Sequence, residues 1–494
     1  MRRLVTPAAR LGALLLLCAG SAQAQRHHYV DPLNGNDTNP GTVAQPVKSV
    51  SYALRFLAND GDSVHCAPGR YSPSTNGDFL DPSTGLFAAW VIGQAQNGIP
   101  QRIQLIGAGA DRCIVDPEGQ QTSFFFARVL FTGAGTKIKG FTFQNPGQPA
   151  GRWNCAWRLG STSTGFTVDD VEISECIFRD LPYAFVSFGA SLRTRFHDNV
   201  VINCADGIGV TNFSAVSGDI GYIYNNSFQN IGTSGIEVLA DARSTSTIYI
   251  FNNSFVNVGF NAIWFDTGFG TPIVYSDANN FWQVGASYGA GLSAGATDSF
   301  VDPLLVAPSD YRLQRSSPLV DSGSNLAPAG MPLPAGIYPP YGNDVQGGMR
   351  LIDGDLDGAI EVDRGAEEVS SIAVAGFGPV TLGSTATVSV LDERGDFAAN
   401  PVDPTYLLFG AAGAGAVQFA IEPFGLLALD LATFSYLTTG SMPPVNGQAR
   451  ADLSFALPND PFLIGRRAPV QFLVAQLQPS GVRGELTAIA ELAF

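Results

Sequence analysis

The chain is 494 residues long, with 27 basic against 43 acidic residues and a net charge of −16. So acidic a molecule repels the phosphate backbone, which argues against nucleic acid as a partner. No stretch after the first residues reaches the ~20 apolar positions that a membrane-spanning helix requires.

Arg2, Arg3 and Arg10 accompany an apolar run from Leu11 to Cys18, and Ala22-Gln23-Ala24 offers a small-residue cleavage site. Residues 1–24 are therefore expected to be an export signal, giving a secreted or cell-envelope product. Cys66, Cys113, Cys155, Cys176 and Cys204 remain, without CxxC or zinc-ligand spacing. They read mostly as buried small apolar side chains, alone or with one disulfide among them.

Tyr29-Val30-Asp31-Pro32 opens in a strand-like way, a turn-rich run follows over 34–41, and a short helical pattern spans Val47 to Leu57. The first coil of a strand stack would expose apolar core and unpaired backbone, so this helix is expected to be an N-terminal cap. Gly61–Val64, Arg102–Gly107 and Thr136–Phe143 read as early, irregular coils.

The middle of the chain repeats. Asp198-Asn199, Asn225-Asn226, Asn252-Asn253 and Asn279-Asn280 each start 27 residues after the last. A second motif keeps phase with them: Gly207-Ile208-Gly209-Val210, Gly235-Ile236-Glu237-Val238 and Ala262-Ile263-Trp264-Phe265. Two phased motifs mean one repeated unit, and its short period-2 runs between Asn, Gly and Ser clusters make it a coil of strands. Coils stacked about 4.8 Å apart place equivalent side chains over one another. Asn suits the turns because it tolerates left-handed backbone and can bond both its own turn and the next Asn.

After Ser299 the pattern changes to Val301-Asp302-Pro303-Leu304, Tyr311-Arg312-Leu313 and Ser317-Pro318-Leu319-Val320-Asp321, which reads as a closing cap over 301–369. From 370 to 494, alternating apolar runs between Gly and Pro turns suggest a separate β-sandwich.

With the coils laid out, residues 28–300 resemble the right-handed parallel β-helix proteins of the pectate-lyase-like superfamily. The opening Tyr29-Val30-Asp31 with Gly35-Asn36-Asp37 and Asn39-Pro40-Gly41-Thr42 is similar to the start of many secreted bacterial β-helix proteins. The run from Asp302-Pro303 through Asp321 and Arg350 to Asp363-Arg364-Gly365-Ala366-Glu367 is similar to the end of the choice-of-anchor Q domain. The resemblance implies an all-β fold: a right-handed parallel β-helix (solenoid) over 25–300, followed by the closing segment and the C-terminal β-sandwich. It is specific for architecture and weak for activity, since the superfamily spans lyases, hydrolases, epimerases and adhesins.

The resemblance also implies that the strand after the Asn turn and its following bend leads to the sheet lining a substrate groove, here Gly235 to Leu239. Alternation turns Ile236, Val238, Ile263 and Phe265 inward and Glu237, Trp264 and Asp266 outward, with Glu237 and Trp264 one coil apart in a column. Asp206, Asp241 and Arg243 fall at the ends of the same strands. An acid beside an aromatic suits a glycan, since sugar C–H faces stack on rings and carboxylates bind hydroxyls or carry protons. Glu237, Asp241, Arg243 and Asp266 are the catalytic candidates, with solvated acids of no special role as the alternative.

A second outward surface holds the columns Arg195-Tyr222-Tyr249 and His197-Tyr224-Phe251. Arg195, Tyr222, Tyr249 and Trp264 are the substrate-binding candidates, for an acidic polysaccharide whose uronate carboxylates pair with Arg. The alternative is that a loop or the C-terminal domain covers these rings. Asp353, Asp355 and Asp357 before Gly358, with Asp363, resemble part of a calcium loop, although Arg364 stands where a bidentate Glu would complete it. Calcium, or another structural cation, is the expected cofactor.

Departures from the enzymatic families matter equally. The chain has three lysines, so a lyase base would have to be an Arg such as Arg243 or Arg195, a poor base unless perturbed. Asp169-Asp170 lacks the Asn-Thr-Asp and Gly-His-Gly companions of inverting glycosidases and reads as turn acids. The expected function is an exported monomer that binds a polysaccharide, with lyase or hydrolase cleavage left open. The competing expectation is a non-catalytic surface or envelope protein acting as a spacer or adhesin.

Overall fold

The computed structural model describes residues 25–79, 90–92, 101–119, 128–132, 134–144, 155–159, 167–187, 190–212, 218–240, 246–266, 272–289, 291–325, 331–333, 343–348, 350, 354, 361–370, 372–375, 384–392, 403–411, 414–421, 425–429, 435–445, 448–457, 467–478, 481–486 and 490–493.

The N-terminal body is a parallel β-helix. One face is a 9-stranded sheet running from His27–Val30 through Thr194–His197, Gly218–Tyr224 and Ser246–Phe251 to Ile273–Asp277. The other two faces form one 14-stranded sheet, because the long strand Ser254–Asp266 pairs with members of both. Its first column includes Ile177–Arg179, Val200–Ile202 and Ser227–Ile231; its second includes Cys155–Leu159, Tyr183–Ser187, Asp206–Asn212 and Ile236–Ala240. Coil-to-coil pairing is parallel throughout both sheets.

Two corners of each coil turn through left-handed backbone. At the first, Glu175, Asp198, Asn225, Asn252 and Ala278 all have φ between 53° and 58°. At the second, Asp180, Asn203, Asn230, Asn257 and Gln283 do the same. This conformation costs most L-residues roughly 1–2 kcal/mol, and Asn and Asp bear it best.

The residue after the first corner points inward and builds a ladder. Asn199, Asn226 and Asn253 donate their backbone N–H to the Oδ1 of Asn226, Asn253 and Asn279, each at 3.0 Å. Cys176 opens the ladder by donating to Asn199 Oδ1, and Asp298 closes it by accepting from Asn279 N at 2.9 Å. The last step differs from the sequence expectation. Asn279 takes the place of Asn253, 26 residues on, while Asn280 pairs with Ser254. Ala278 therefore supplies the corner, and the Asn-Asn pair is shifted by one position.

Inside the coils Phe228, Phe255 and Phe281 stack with ring centroids 4.8 and 5.3 Å apart, and Phe300 continues the stack over the last coil. At the other end the helical turns Val50–Tyr52 and Ala53–Leu57 bury Val50, Ala53 and Leu54. Ser49 caps them, accepting from Tyr52 N at 3.1 Å. The five cysteines among the described residues are buried thiols, and burial pushes Cys113, Cys176 and Cys204 up to about 12.

The segment after Ser299 does more than close the end, because it also runs along the flank of the stack. Arg364 bonds Ser299 Oγ at 2.7 Å, Gly365 N and Ser324 N bond Asn252 at 3.0 Å, and Ala366 N bonds Ser227 Oγ at 3.0 Å. Arg350 reaches Asp198, one coil further back, at 3.4 Å. Val345 and Ala366 cover the outward Ile177, Val200 and Ile202.

Beyond Ile372 the strands become antiparallel, in a 4-stranded sheet, a 5-stranded sheet and a two-stranded ribbon. One apolar cluster draws Val388, Val390 and Leu453 from the first sheet and Leu408, Phe472 and Val474 from the second. No helix among the described residues is long and apolar enough to cross a membrane.

Candidate functional site

The register places Val186, Gly209, Glu237 and Trp264 in one column. The neighbouring column Phe185, Ile208, Ile236 and Ile263 belongs to the interior core. Glu237 and Trp264 are thus side by side on the outer face. Glu237 differs from a solvated acid: it is only 7% exposed and accepts a hydrogen bond from the Tyr183 hydroxyl at 3.1 Å. Tyr183 comes from the strand two coils back and packs with Val186 and Cys155 in a small cluster outside the core. Trp264 is half-buried, its edge against Gly289. Asp206 pairs in register with Tyr183, and its carboxylate accepts from Ser234 N. Asp241 and Arg243 lie outside the described residues. Asp266 ends its strand opposite Leu239.

The second predicted surface keeps its register but not its exposure. Arg195, Tyr222, Tyr249 and Tyr275 stand in one column, and His197, Tyr224 and Phe251 in the next. Tyr222 is fully buried and Tyr249 nearly so, because Met331 and Leu333 of the closing segment pack over the rings. Both phenol hydroxyls bond Asp219. Arg195 is also engaged, at 2.8 Å from Asp170 and 2.9 Å from Glu172. Apolar ring area removed from water stabilises the flank by ~25 cal/mol per Å², and the sequence held no local sign of a cover more than 80 residues downstream. Of the expected substrate-binding residues, Tyr222 and Tyr249 thus lie beneath the closing segment, and Arg195 is held by two carboxylates.

Next to that interface His197 stacks on Tyr224 at 4.7 Å and bonds Asp198 at 2.6 Å. Burial works against a charged imidazole, but the hydrogen bonds to Asp198 and Glu172 outweigh it and hold His197 up at about 9. Burial opposes the Glu172 carboxylate too, yet His197, Lys137 and Arg195 keep it well below the usual range. Asp169 pairs with Arg193, so the Asp169-Asp170 turn acids serve ion pairs.

Asp353, Asp355 and Asp357 lie outside the described residues. Asp363 is wholly buried and meets Asp321 and Glu368, with one oxygen from each lying within 4.8 Å of the others. Its two oxygens accept from Asp321 N and Val369 N at 2.7 Å, while Glu368 accepts from Asp363 N at 3.0 Å. Arg350 lies 3.5 Å from Glu368 and donates to the Asp363 carbonyl. Burial raises Asp363 to about 7 and Glu367 to about 8.

Sequence reasoning missed Tyr183, because its partnership with Glu237 skips a coil. It also missed the exposed ladder in which Asn257 Nδ2 bonds Asn230 Oδ1 and Asn230 Nδ2 bonds Asn203 Oδ1. That ladder was available as a third 27-residue step.

Residues 129–279 match the family model described as a right handed beta helix region. None of the curated proteins matches the chain. Among solved structures the chain is similar to a rhamnogalacturonan lyase, at 13% identity over 57% of this chain and 91% of that one, with a TM-score of 0.34. It is similar to a lacto-N-biosidase from Eubacterium ramulus at 12% identity over 56% and 67%, TM-score 0.33. A third likeness is to the tailspike protein of Acinetobacter phage vB_ApiP_P1, at 9% identity over 88% and 70%, TM-score 0.21. The family match and the parallel strand stack agree on the fold: the middle of this chain is a right-handed β-helix.

Proposed function

We propose that the chain is an exported β-helix protein that binds a polysaccharide along the outer face holding Glu237 and Trp264, with Glu237 as the group to carry lyase or hydrolase cleavage. One observation supports this reading above the rest. Val345 and Ala366 cover part of one of the other faces and Met331 and Leu333 part of the second, while on this one a carboxylate fixed by a tyrosine hydroxyl lies beside a half-buried tryptophan. A positioned carboxyl can donate or accept a proton, and an indole face can seat a sugar ring. The residues 301–369 would act as the closing segment of a choice-of-anchor Q kind, and the two C-terminal sheets would pack as a sandwich.

The calcium expectation attaches to Asp363, where carboxylates of Asp321 and Glu368 converge. Hard oxygen ligands of this kind suit calcium. A calcium-dependent rise in melting temperature, reversed by chelator, is the test.

The functional test is incubation of the purified protein with uronate and neutral glycans, with and without calcium, watching for binding and for new reducing or unsaturated ends. Binding lost in Trp264→Ala and cleavage lost in Glu237→Gln support the proposal; silence across the panel overturns it. The burial of Glu237 favours a second reading, a non-catalytic surface spacer. Glycan binding that survives in Glu237→Gln without any cleavage in the native protein would select it.

A further inference from the structure

Three of the chain's four histidines lie in the first two strands of the 9-stranded sheet: His27 and His28 in His27–Val30, and His65 in Ser63–Cys66. His28 points inward to Asp62 at 3.0 Å. The other two sit on the outer face, since His27 pairs in register with Ser63 and Tyr29 with His65, and strand alternation puts all four on one side. There three donor atoms converge. His27 Nδ1 is 2.7 Å from Ser63 Oγ and 3.2 Å from His65 Nε2, and Ser63 Oγ is 2.9 Å from His65 Nε2.

We infer that His27 Nδ1, His65 Nε2 and Ser63 Oγ form a surface site for a borderline divalent transition metal such as Ni²⁺, Cu²⁺ or Zn²⁺. Metal–imidazole bonds of about 2.1 Å put neighbouring ligands of an octahedron about 3.0 Å apart. The three edges of this triangle bracket that value, so a cation seated over it would find one face of its coordination shell already assembled. Two imidazoles select nitrogen-loving metals over calcium or magnesium. Solvent completes the shell, because His27 is exposed and His65 only partly covered.

The rings are held before any metal arrives. Tyr29 stacks on His65 at 5.1 Å and 19°, which fixes the imidazole plane, and the strand pairing fixes the Cα positions. Such support normally decides whether two histidines make a site. Without a cation the same atoms share protons, with one imidazole N–H donating to the serine and the serine O–H donating to the other ring. A metal replaces that shared proton set, so no buried group is left unsatisfied in either state. The site lies at the first coil and stands independently of the polysaccharide reading.

The test is titration of the full purified chain with Ni²⁺ at pH 7.5 by calorimetry, together with electron paramagnetic resonance of the Cu²⁺-loaded protein. The expected result is one saturable Ni²⁺ equivalent, and a copper spectrum carrying two nitrogen couplings. His27→Gln and His65→Gln should each weaken Ni²⁺ binding by more than about tenfold, and His27→Gln should leave the metal-free melting temperature unchanged. If His65→Gln fails to fold, His27→Gln alone decides. Absence of saturable binding, or equal binding by the native protein and His27→Gln, overturns the inference.

Discussion

The Tyr183 hydroxyl donates to Glu237 Oε2 at 3.1 Å across an intervening strand, and it reaches because Gly209, in register with Glu237, carries no side chain. A Cβ at Gly209 would lie 3.9 Å from the tyrosine ring, so any longer side chain would occupy the path. Gly209 is thus a passage between coils. Tyr183→Phe removes a donor from a buried carboxylate and should cost about 1–3 kcal/mol. Chemical denaturation of the variant measures this; a loss below ~0.5 kcal/mol would show that the bond does not hold Glu237.

The two asparagine ladders should differ sharply in worth. Asn226 accepts from Asn199 N and donates to the carbonyls of Phe196 and Tyr224, all buried. Asn226→Ala should therefore cost ~3 kcal/mol or more, the sum of several unsatisfied groups. Asn230, on the exposed ladder at φ 53°, should lose about 1 kcal/mol on change to Ala and almost nothing on change to Gly. Thermal melts of the three variants check the order.

Alkaline instability follows from three raised groups. The folded His197 titrates at about 9, above its ordinary value of 6.5, so its stabilisation is complete below about pH 6.5 and is lost as pH rises through 9. Asp363, at about 7, and Glu367, at about 8, are also raised by burial, so their share is present below the ordinary carboxylate range and fades earlier, up to pH 8. Stability should decline from mildly acidic pH toward pH 9. His197→Gln should flatten the upper part of that curve and Asp363→Asn the lower part; unchanged curves would contradict the assignment.

Thr194 lines a small hollow inside the coils with Phe185, Phe196, Ile208 and Ile223. Among the described residues its Oγ1 has no hydrogen-bond partner. Thr194→Val keeps the shape and removes the stranded hydroxyl, so a gain of about 1 kcal/mol is expected from denaturant titration. A loss would mean that water or another group satisfies it.

The repeat was legible in the sequence because each coil must solve the same corner, and Asn solves it twice, as turn former and as ladder rung. Register followed from it, so Glu237 beside Trp264 and Arg195 beside Tyr222 could be read from spacing. Burial could not. Met331 covers Tyr222 and Tyr249 from a segment with no repeat to date it against, and Tyr183 meets Glu237 over a distance that nearest-coil logic does not reach. The one-residue slip at Asn279 shows the same limit: Asn280 continues the written pattern, but the ladder needs the side chain that falls inside.

The interior ladder has a direction. Every rung gives its amide to the rung that follows, so only the terminal coil must borrow an acceptor, and Asp298 lends it. Nothing in an intermediate rung records how many others there are. A lineage could therefore lengthen or shorten this cylinder by whole turns, copying or deleting a segment of the gene, while both terminations stayed as they are.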